Sequence, residues 1–281
     1  MNCYMFPGQP LTHNAQLPDD SDFCEIAELT LLRTGVNLHD FTRQGEDGSV
    51  SAMLQIYGVA MSLYQARRFR LQGVRPDLIA EHSMGIYPAL AVSGSISEGD
   101  ALELTWRVGC CMNSMKKSRE YALGCVVGLT LEPVLSIAEN NGVYLANLNT
   151  SRHFLLSGER RNMEAAETEA LADGAFSVKL FPSDAPLHTP LMAEIEGEMR
   201  GVFSDYRYLE PNLPLLDHIN QDFLAATEIT EFMIRELELP VYWEKSFIAL
   251  KKAGVGKFFE VGVGDSLKKY NRWIENEASR Q

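Results

Sequence analysis

The segment DLIAEHSMGIYPAL, Asp77 to Leu90, constrains the fold of this 281-residue chain more than any other stretch. A short apolar run ends just before Ser83, and Gly85 then opens a run that can form a helix. A strand that turns sharply into a helix at a serine is the context of a nucleophile elbow. A helix-capping serine gives a similar pattern, so this motif alone leaves both interpretations open. The elbow pattern usually begins with glycine, where this chain has Glu81.

Short apolar runs alternate with longer helical patterns along most of the chain. This alternation predicts an α/β fold with a mainly parallel sheet. Ser97 is expected to cap a helix that begins at Glu98, and earlier helices are expected over 22–33 and 51–72. The strands of the parallel sheet are expected at NCYMF, DLIA, LPLLDHI and KFFEVG.

The middle of the chain has a different pattern. Two helical patterns, 131–140 and 160–172, separate the strand-like segments GCVVGL, VYLANLN, HFLLSG and FSVKLF. The resulting β-α-β-β-α-β order is that of a ferredoxin-like unit. We therefore expect a discontinuous core domain of residues 1–121 and 184–281, interrupted by a subdomain of residues 122–183.

Composition excludes several classes of function. The formal net charge of −13 argues against a nucleic-acid binder, which normally has a basic face. The five cysteines show no C-x-x-C spacing, which disfavours a metal site or a redox pair. The first residues lack the basic start and apolar core of a signal peptide, and no apolar stretch reaches membrane-spanning length. We expect a cytoplasmic, monomeric protein that binds no membrane.

A serine nucleophile needs a base, and the chain has six histidines. His188 has the best context, because it follows a predicted strand and precedes TPLM, a helix start with proline in its first turn. His82 adjoins Ser83, but successive residues at a strand end point to opposite sides. His82 is therefore expected to make structural hydrogen bonds. The other four histidines are expected on the surface or hydrogen-bonded: His13, His39, His153 and His218.

The chain also resembles the malonyl-CoA:acyl carrier protein transacylase family over almost its whole length. Each motif is weak alone, but six occur in the family's order. They are FPGQ (6–9), EHSMGIYPAL (81–90), ANLNTSRHFLLSG (146–158), APLHTPLM (185–192), LPVYWEKSF (239–247) and FFEVGVGDSL (258–267).

This resemblance implies an α/β-hydrolase-like core with an inserted ferredoxin-like subdomain. It implies that Ser83 attacks an acyl-CoA thioester with His188 as the base, and that the phosphopantetheine thiol of an acyl carrier protein then takes the acyl group. The backbone N–H groups of Gln9 and Met84 would form the oxyanion hole. A backbone carbonyl at Tyr242 would orient the histidine. No metal or redox cofactor is expected.

The chain departs from the family at the substrate pocket. Counted without gaps from Ser83, the family's carboxylate-binding arginine falls on Val108, and valine cannot pair with a carboxylate. Arg107 is one residue earlier and about 100° around the helix, so it is a weak substitute. Leu187 also makes the pocket narrower or more apolar. These changes predict an uncharged acyl group rather than malonyl.

Two other functions remain open from the sequence. A thioester hydrolase that cleaves acyl groups from a carrier protein would use the same Ser83 and His188. A non-catalytic subunit that docks a carrier protein is a third possibility, which the retained serine and histidine disfavour.

Overall fold

The computed structural model describes residues 1–14, 16–43, 49–116 and 119–279. The strands in this part of the chain are β1 (Asn2–Phe6), β2 (Val36–Asn37), β3 (Thr42–Arg43), β4 (Leu78–Glu81), β5 (Tyr121–Val127), β6 (Tyr144–Thr150), β7 (His153–Glu159), β8 (Ser177–Ser183), β9 (Leu216–Asp217), β10 (Asp222–Phe223) and β11 (Lys257–Glu260). The helices are α1 (Ser21–Thr34), α2 (Val50–Leu71), α3 (Ile86–Val92), α4 (Glu98–Met115), α5 (Leu131–Asn141), α6 (Arg160–Ala172), α7 (Glu196–Ser204), α8 (Ile229–Glu238), α9 (Trp243–Lys252) and α10 (Ser266–Ala278).

A three-stranded parallel sheet forms the centre of the core, with strand order β11-β1-β4. Successive side chains of β1 point to opposite faces of this sheet, and both faces are covered. Tyr4 and Phe6 pack into a large cluster with α1 to α4. Cys3 and Met5 pack into a second cluster with Trp243 and residues of α9 and α10. Helices on both faces of a parallel sheet are the layer arrangement of an α/β fold.

The long helices begin where the sequence predicts. The Ser97 hydroxyl accepts a hydrogen bond from Asp100 N at 3.0 Å, which caps α4. Ser49 caps α2 through Ala52 N, also at 3.0 Å. Each cap satisfies one of the N–H groups that the first turn of a helix leaves without a partner.

The middle segment forms a separate four-stranded antiparallel sheet with strand order β6-β7-β5-β8. Its element order is β-α-β-β-α-β, as the sequence predicts. Helices α5 and α6 bury their apolar faces against this sheet in a cluster of their own. The edge strand β6 also pairs with the main body, since Leu148 N donates to Val241 O and Val241 N donates to Ala146 O, each at 2.9 Å.

One predicted strand is much shorter than expected. In LPLLDHI only Leu216–Asp217 is a strand, and it pairs antiparallel with β10. Leu215 makes a single parallel bridge to Ile79. The chain then turns away from the sheet, because the Asp217 carboxylate accepts hydrogen bonds from the N–H groups of Ile219 and Asn220. In the described ranges, no helix combines the length and the apolarity needed to cross a bilayer.

Candidate active site

Ser83 lies at a strained turn between strand β4 and helix α3. A single turn of 3-10 helix, Ser83–Gly85, joins these two elements, and Ser83 has a left-handed φ of 56°. Non-glycine residues rarely adopt this conformation, and it recurs at functional sites. A Cβ at Gly85 would lie 2.3 Å from the carbonyl oxygen of Phe6. Only glycine therefore lets this turn pass so close to the end of β1.

His188 faces Ser83 from a second strained position, with a φ of 58°. Its Nε2 lies 2.8 Å from Ser83 Oγ, and its Nδ1 lies 2.7 Å from the carbonyl oxygen of Glu236. Because a carbonyl can only accept, Nδ1 carries the proton and Nε2 presents a lone pair to the serine hydroxyl. Burial lowers the pKa of His188 to about 4, which keeps the imidazole neutral. This is the arrangement that a serine nucleophile and its base require.

The carbonyl that accepts a hydrogen bond from His188 is not the one expected from the sequence. Tyr242 was expected to supply it, but the Tyr242 carbonyl accepts from Ser246 N at 3.1 Å. The acceptor is Glu236, six residues earlier in α8. Any residue type offers a backbone carbonyl, so the side chain at this position carries no signal of the role.

His82 makes structural hydrogen bonds, as expected. Its Nε2–H donates to Asn149 Oδ1 at 2.9 Å, and Asn149 Nδ2 donates to His153 Nδ1 at 3.1 Å. The Nε2 atom of His153 then lies 3.3 Å from Cys125 Sγ. This chain of contacts links the residue before Ser83 to strands β6, β7 and β5 of the second sheet.

Ser83 and His188 open onto a groove between the core and the second sheet. The nearer part has a volume of about 450 Å³ and is lined by Gln9, Leu187 and side chains of β5, β7 and β8. An adjoining part of about 520 Å³ shares Gln9 and Tyr270 with it and includes Arg152 and Lys269. The predicted site residues Ser83, His188, Gln9 and Leu187 therefore lie together.

A second, small cavity of about 30 Å³ lies against Ser83 and His188. The rest of its wall includes Met84, Leu187, Gln55, Tyr87, Met112 and Glu236. Sequence reasoning missed the last four. Of these four residues, Met112 was the easiest to predict from the sequence, because it lies one helical turn beyond Val108 in α4.

The structure separates the other two predicted substrate-binding residues from both cavities. Val108 is fully buried in the main core and is absent from the described walls of the groove and the small cavity. The Arg107 guanidinium pairs with Asp205 and stacks on the ring of Tyr206, so it faces away from the site. Arg107 lies about 100° around the axis of helix α4 from Val108, so the two side chains point to different faces of the helix.

The model of the acyl transferase domain family matches residues 25–261. This chain belongs to the acyl transferase family.

Among curated relatives, the malonyl CoA-acyl carrier protein transacylase of Bacillus subtilis strain 168 is 27% identical over 292 residues. That alignment covers 98% of this chain and 92% of the relative. The enzyme of the same name from Escherichia coli K12 is 26% identical over 280 residues, with 94% and 89% covered.

Solved structures share the fold of this acyl transferase. The malonyl CoA-acyl carrier protein transacylase of Coxiella burnetii aligns with a TM-score of 0.89 at 23% identity, covering 98% of this chain and 91% of that one. A malonyl-transacylase solved in complex with a type II PKS acyl-carrier protein aligns with a TM-score of 0.88 at 24% identity, covering 98% and 93%.

Behind Ser83 and His188 lies a buried cluster that the sequence patterns did not indicate. Glu81, His218 and Glu236 are each at most 3% exposed. Burial, with the neighbouring Glu236 and Asp217 charges, raises the pKa of Glu81 well above its usual value, and burial raises that of Glu236 to about 8. His218 was expected on the surface or hydrogen-bonded, and both expectations are wrong, because both its ring nitrogens are buried without a hydrogen-bond partner in the described residues.

The two histidines near Ser83 have separable roles that substitution can test. His188→Ala removes the lone pair that faces Ser83 Oγ, so we expect the acyl-transfer rate to fall by at least about a hundredfold. His82→Ala is the matched control. It removes the bond to Asn149, so we expect a lower melting temperature and less than about a tenfold change in rate.

Rates are compared by single-turnover assays on variants whose circular dichroism spectra match that of the parent. A folded His82→Ala variant that is slower than His188→Ala would show that the wrong histidine is assigned as the base.

Proposed function

We propose that this acyl transferase moves an acyl group from coenzyme A to the phosphopantetheine thiol of an acyl carrier protein through an acyl-Ser83 intermediate. The observation that carries the proposal is the 2.8 Å contact between Ser83 Oγ and the unprotonated Nε2 of His188.

In the first half-reaction, His188 Nε2 takes the Ser83 hydroxyl proton while Oγ attacks the thioester carbonyl. The backbone N–H groups of Gln9 and Met84 stabilise the oxyanion, and the coenzyme A thiolate leaves with the proton from Nε2. The carrier thiol then gives its proton to Nε2 and attacks the acyl-serine carbonyl. The ester bond to Oγ breaks, Ser83 Oγ regains the proton from Nε2, and the acyl group leaves as the carrier thioester. The hydrogen bond to the Glu236 carbonyl stabilises the imidazolium in both steps.

The carrier protein as acceptor is supported by the relatives. The two curated relatives are named transacylases of acyl carrier protein, and one structural neighbour was solved with a carrier bound. The groove suits a phosphopantetheine arm, because it leads to Ser83 and its outer part includes the cation of Arg152, beside Lys269 paired with Asp265. No cofactor is required by this mechanism.

We propose further that the acyl group is short and uncharged. The small cavity beside Ser83 has room for about two water-sized groups. Its wall includes Glu236 and, in the described residues, no Lys or Arg. A malonyl carboxylate there would lose its hydration without gaining a cation.

The finer architecture and setting remain proposals. We class the main body, residues 1–121 and 184–281, as α/β-hydrolase-like and residues 122–183 as a ferredoxin-like subdomain. The strand order β6-β7-β5-β8 supports the second assignment. We expect a monomer that works in the cytoplasm, in fatty acid or polyketide biosynthesis.

The fate of the acyl group distinguishes a transferase from a hydrolase. The enzyme is mixed with acetyl-CoA and holo acyl carrier protein, and acetyl-carrier and free acetate are quantified by mass spectrometry. We expect acetyl-carrier to form at least about ten times faster than acetate, because the groove delivers a thiol directly to the acyl-serine. Acetate as the main product at saturating carrier would make the protein a thioester hydrolase, and no acyl transfer at all would leave only a docking role.

Acyl selectivity tests the assignment of Val108. The parent is expected to have a higher kcat/KM for acetyl- and butyryl-CoA than for malonyl-CoA. Val108 itself lines neither cavity, but it lies one helical turn before Met112, which lines the small cavity. The longer side chain of Val108→Arg is therefore expected to reach that cavity and to shift the ratio toward malonyl by about tenfold to a hundredfold, the value of a charge-assisted contact of roughly 1.5–3 kcal/mol. Val108→Met is the control, since it adds length without charge. A parent that prefers malonyl-CoA, or an equal shift in Val108→Met, would contradict this assignment.

A further inference from the structure

Three side chains from separate elements converge behind the catalytic pair. Glu81 ends strand β4, His218 follows strand β9, and Glu236 lies in helix α8. Their exposures are 1%, 1% and 3%. One ligand atom from each lies within 4.8 Å of the other two.

Most polar atoms of this cluster have no hydrogen-bond partner in the described residues. They are both carboxylate oxygens of Glu81, both ring nitrogens of His218, and Oε1 of Glu236. His218 Nε2 lies 3.8 Å from Glu81 Oε1, which is too far for a hydrogen bond. Buried polar groups are normally satisfied, so five unsatisfied atoms in one place indicate a ligand that binds among them.

Two neighbouring polar side chains, Asp217 and His188, are already engaged elsewhere. The Asp217 carboxylate accepts from the backbone of Ile219 and Asn220 and from the Asn220 side chain. His188 Nδ1 donates to the backbone carbonyl of Glu236, not to its carboxylate. The missing partner of the cluster is therefore not one of these side chains.

We propose that Glu81, His218 and Glu236 bind one divalent transition-metal ion, with Zn²⁺ the best fit. Two carboxylates and a neutral imidazole carry two negative charges, which a divalent cation balances in a buried site. The imidazole nitrogen favours Zn²⁺ over Mg²⁺ or Ca²⁺, which prefer oxygen ligands alone. Ligand atoms of tetrahedral zinc lie about 3.4 Å apart, so small side-chain rotations bring the three into position. Glu236 also lines the small cavity, from which water supplies the fourth ligand.

The ion has a structural role at this place. It links three elements. They are the end of β4, two residues before Ser83, helix α8, whose Glu236 carbonyl accepts from His188, and the turn after β9. Glu81 replaces the glycine that usually begins the elbow pattern, and this glutamate provides one of the metal ligands. The absence of C-x-x-C spacing gave no hint of such a site, since none of its ligands is cysteine.

Metal content tests this proposal on untagged protein. The enzyme is stripped with a chelator, dialysed against Zn²⁺, and analysed by inductively coupled plasma mass spectrometry. We expect about one ion per chain in the parent and less than about a tenth in Glu81→Gln, His218→Gln and Glu236→Gln. Glu260→Gln is the matched control, because Glu260 is a buried carboxylate that already accepts from the N–H groups of Leu267 and Lys268. It should bind zinc like the parent.

Thermal unfolding gives a second readout. Removing the ion from the parent should lower the melting temperature by about 5 °C or more. This is the shift expected when the free zinc concentration is about a hundred times the Kd. The three ligand variants should not respond to chelator. A parent that binds less than a tenth of an ion after dialysis, or whose melting temperature does not respond to the chelator, would overturn the metal site.

Variants that fail to fold do not block the test. X-ray absorption of the zinc-loaded parent should show one imidazole, oxygen ligands and no sulfur. A sulfur ligand or a second imidazole would place the zinc elsewhere and contradict the proposal.

Discussion

The contact between Ser83 and His188 joins residues 105 positions apart, and each has a left-handed backbone. Such a conformation costs about 1–3 kcal/mol for a non-glycine residue and persists only where its surroundings enforce it. At Ser83 the enforcing contact is the close approach of Gly85 to the end of β1. At His188 it is the hydrogen bond to the Glu236 carbonyl. The parallel sheet and helix α8 therefore set the geometry on which the chemistry depends.

The second sheet is attached to this centre through polar contacts. Strand β6 pairs with the segment around Val241, and the chain of bonds from His82 through Asn149 crosses to the same strand. Because the groove lies between the sheet and the core, these contacts also set its width. The width of the groove and the position of Ser83 are thus linked through these contacts, which include His82, the residue before Ser83.

Local patterns in the sequence predicted most of the fold and the pairing of Ser83 with His188. Helices α2 and α4 begin within a residue of their predicted starts, since a cap and an apolar stripe are local features. The walls of the small cavity could not be predicted, because they depend on how closely helices α2 and α4 approach. The same holds for Glu81 and His218, whose burial arises only when β4, β9 and α8 meet. The carbonyl of Glu236 gave no signal, since every residue has one.

The central claim is that Ser83 carries the acyl group, and intact-mass spectrometry with peptide mapping tests it most directly. The protein is mixed with acetyl-CoA, quenched in acid after one turnover and digested. We expect one added acetyl group, located on the peptide that contains Ser83, and none on a Ser83→Ala variant that retains the parent's fold. An acetyl adduct on the alanine variant, or on a different residue of the parent, would contradict it.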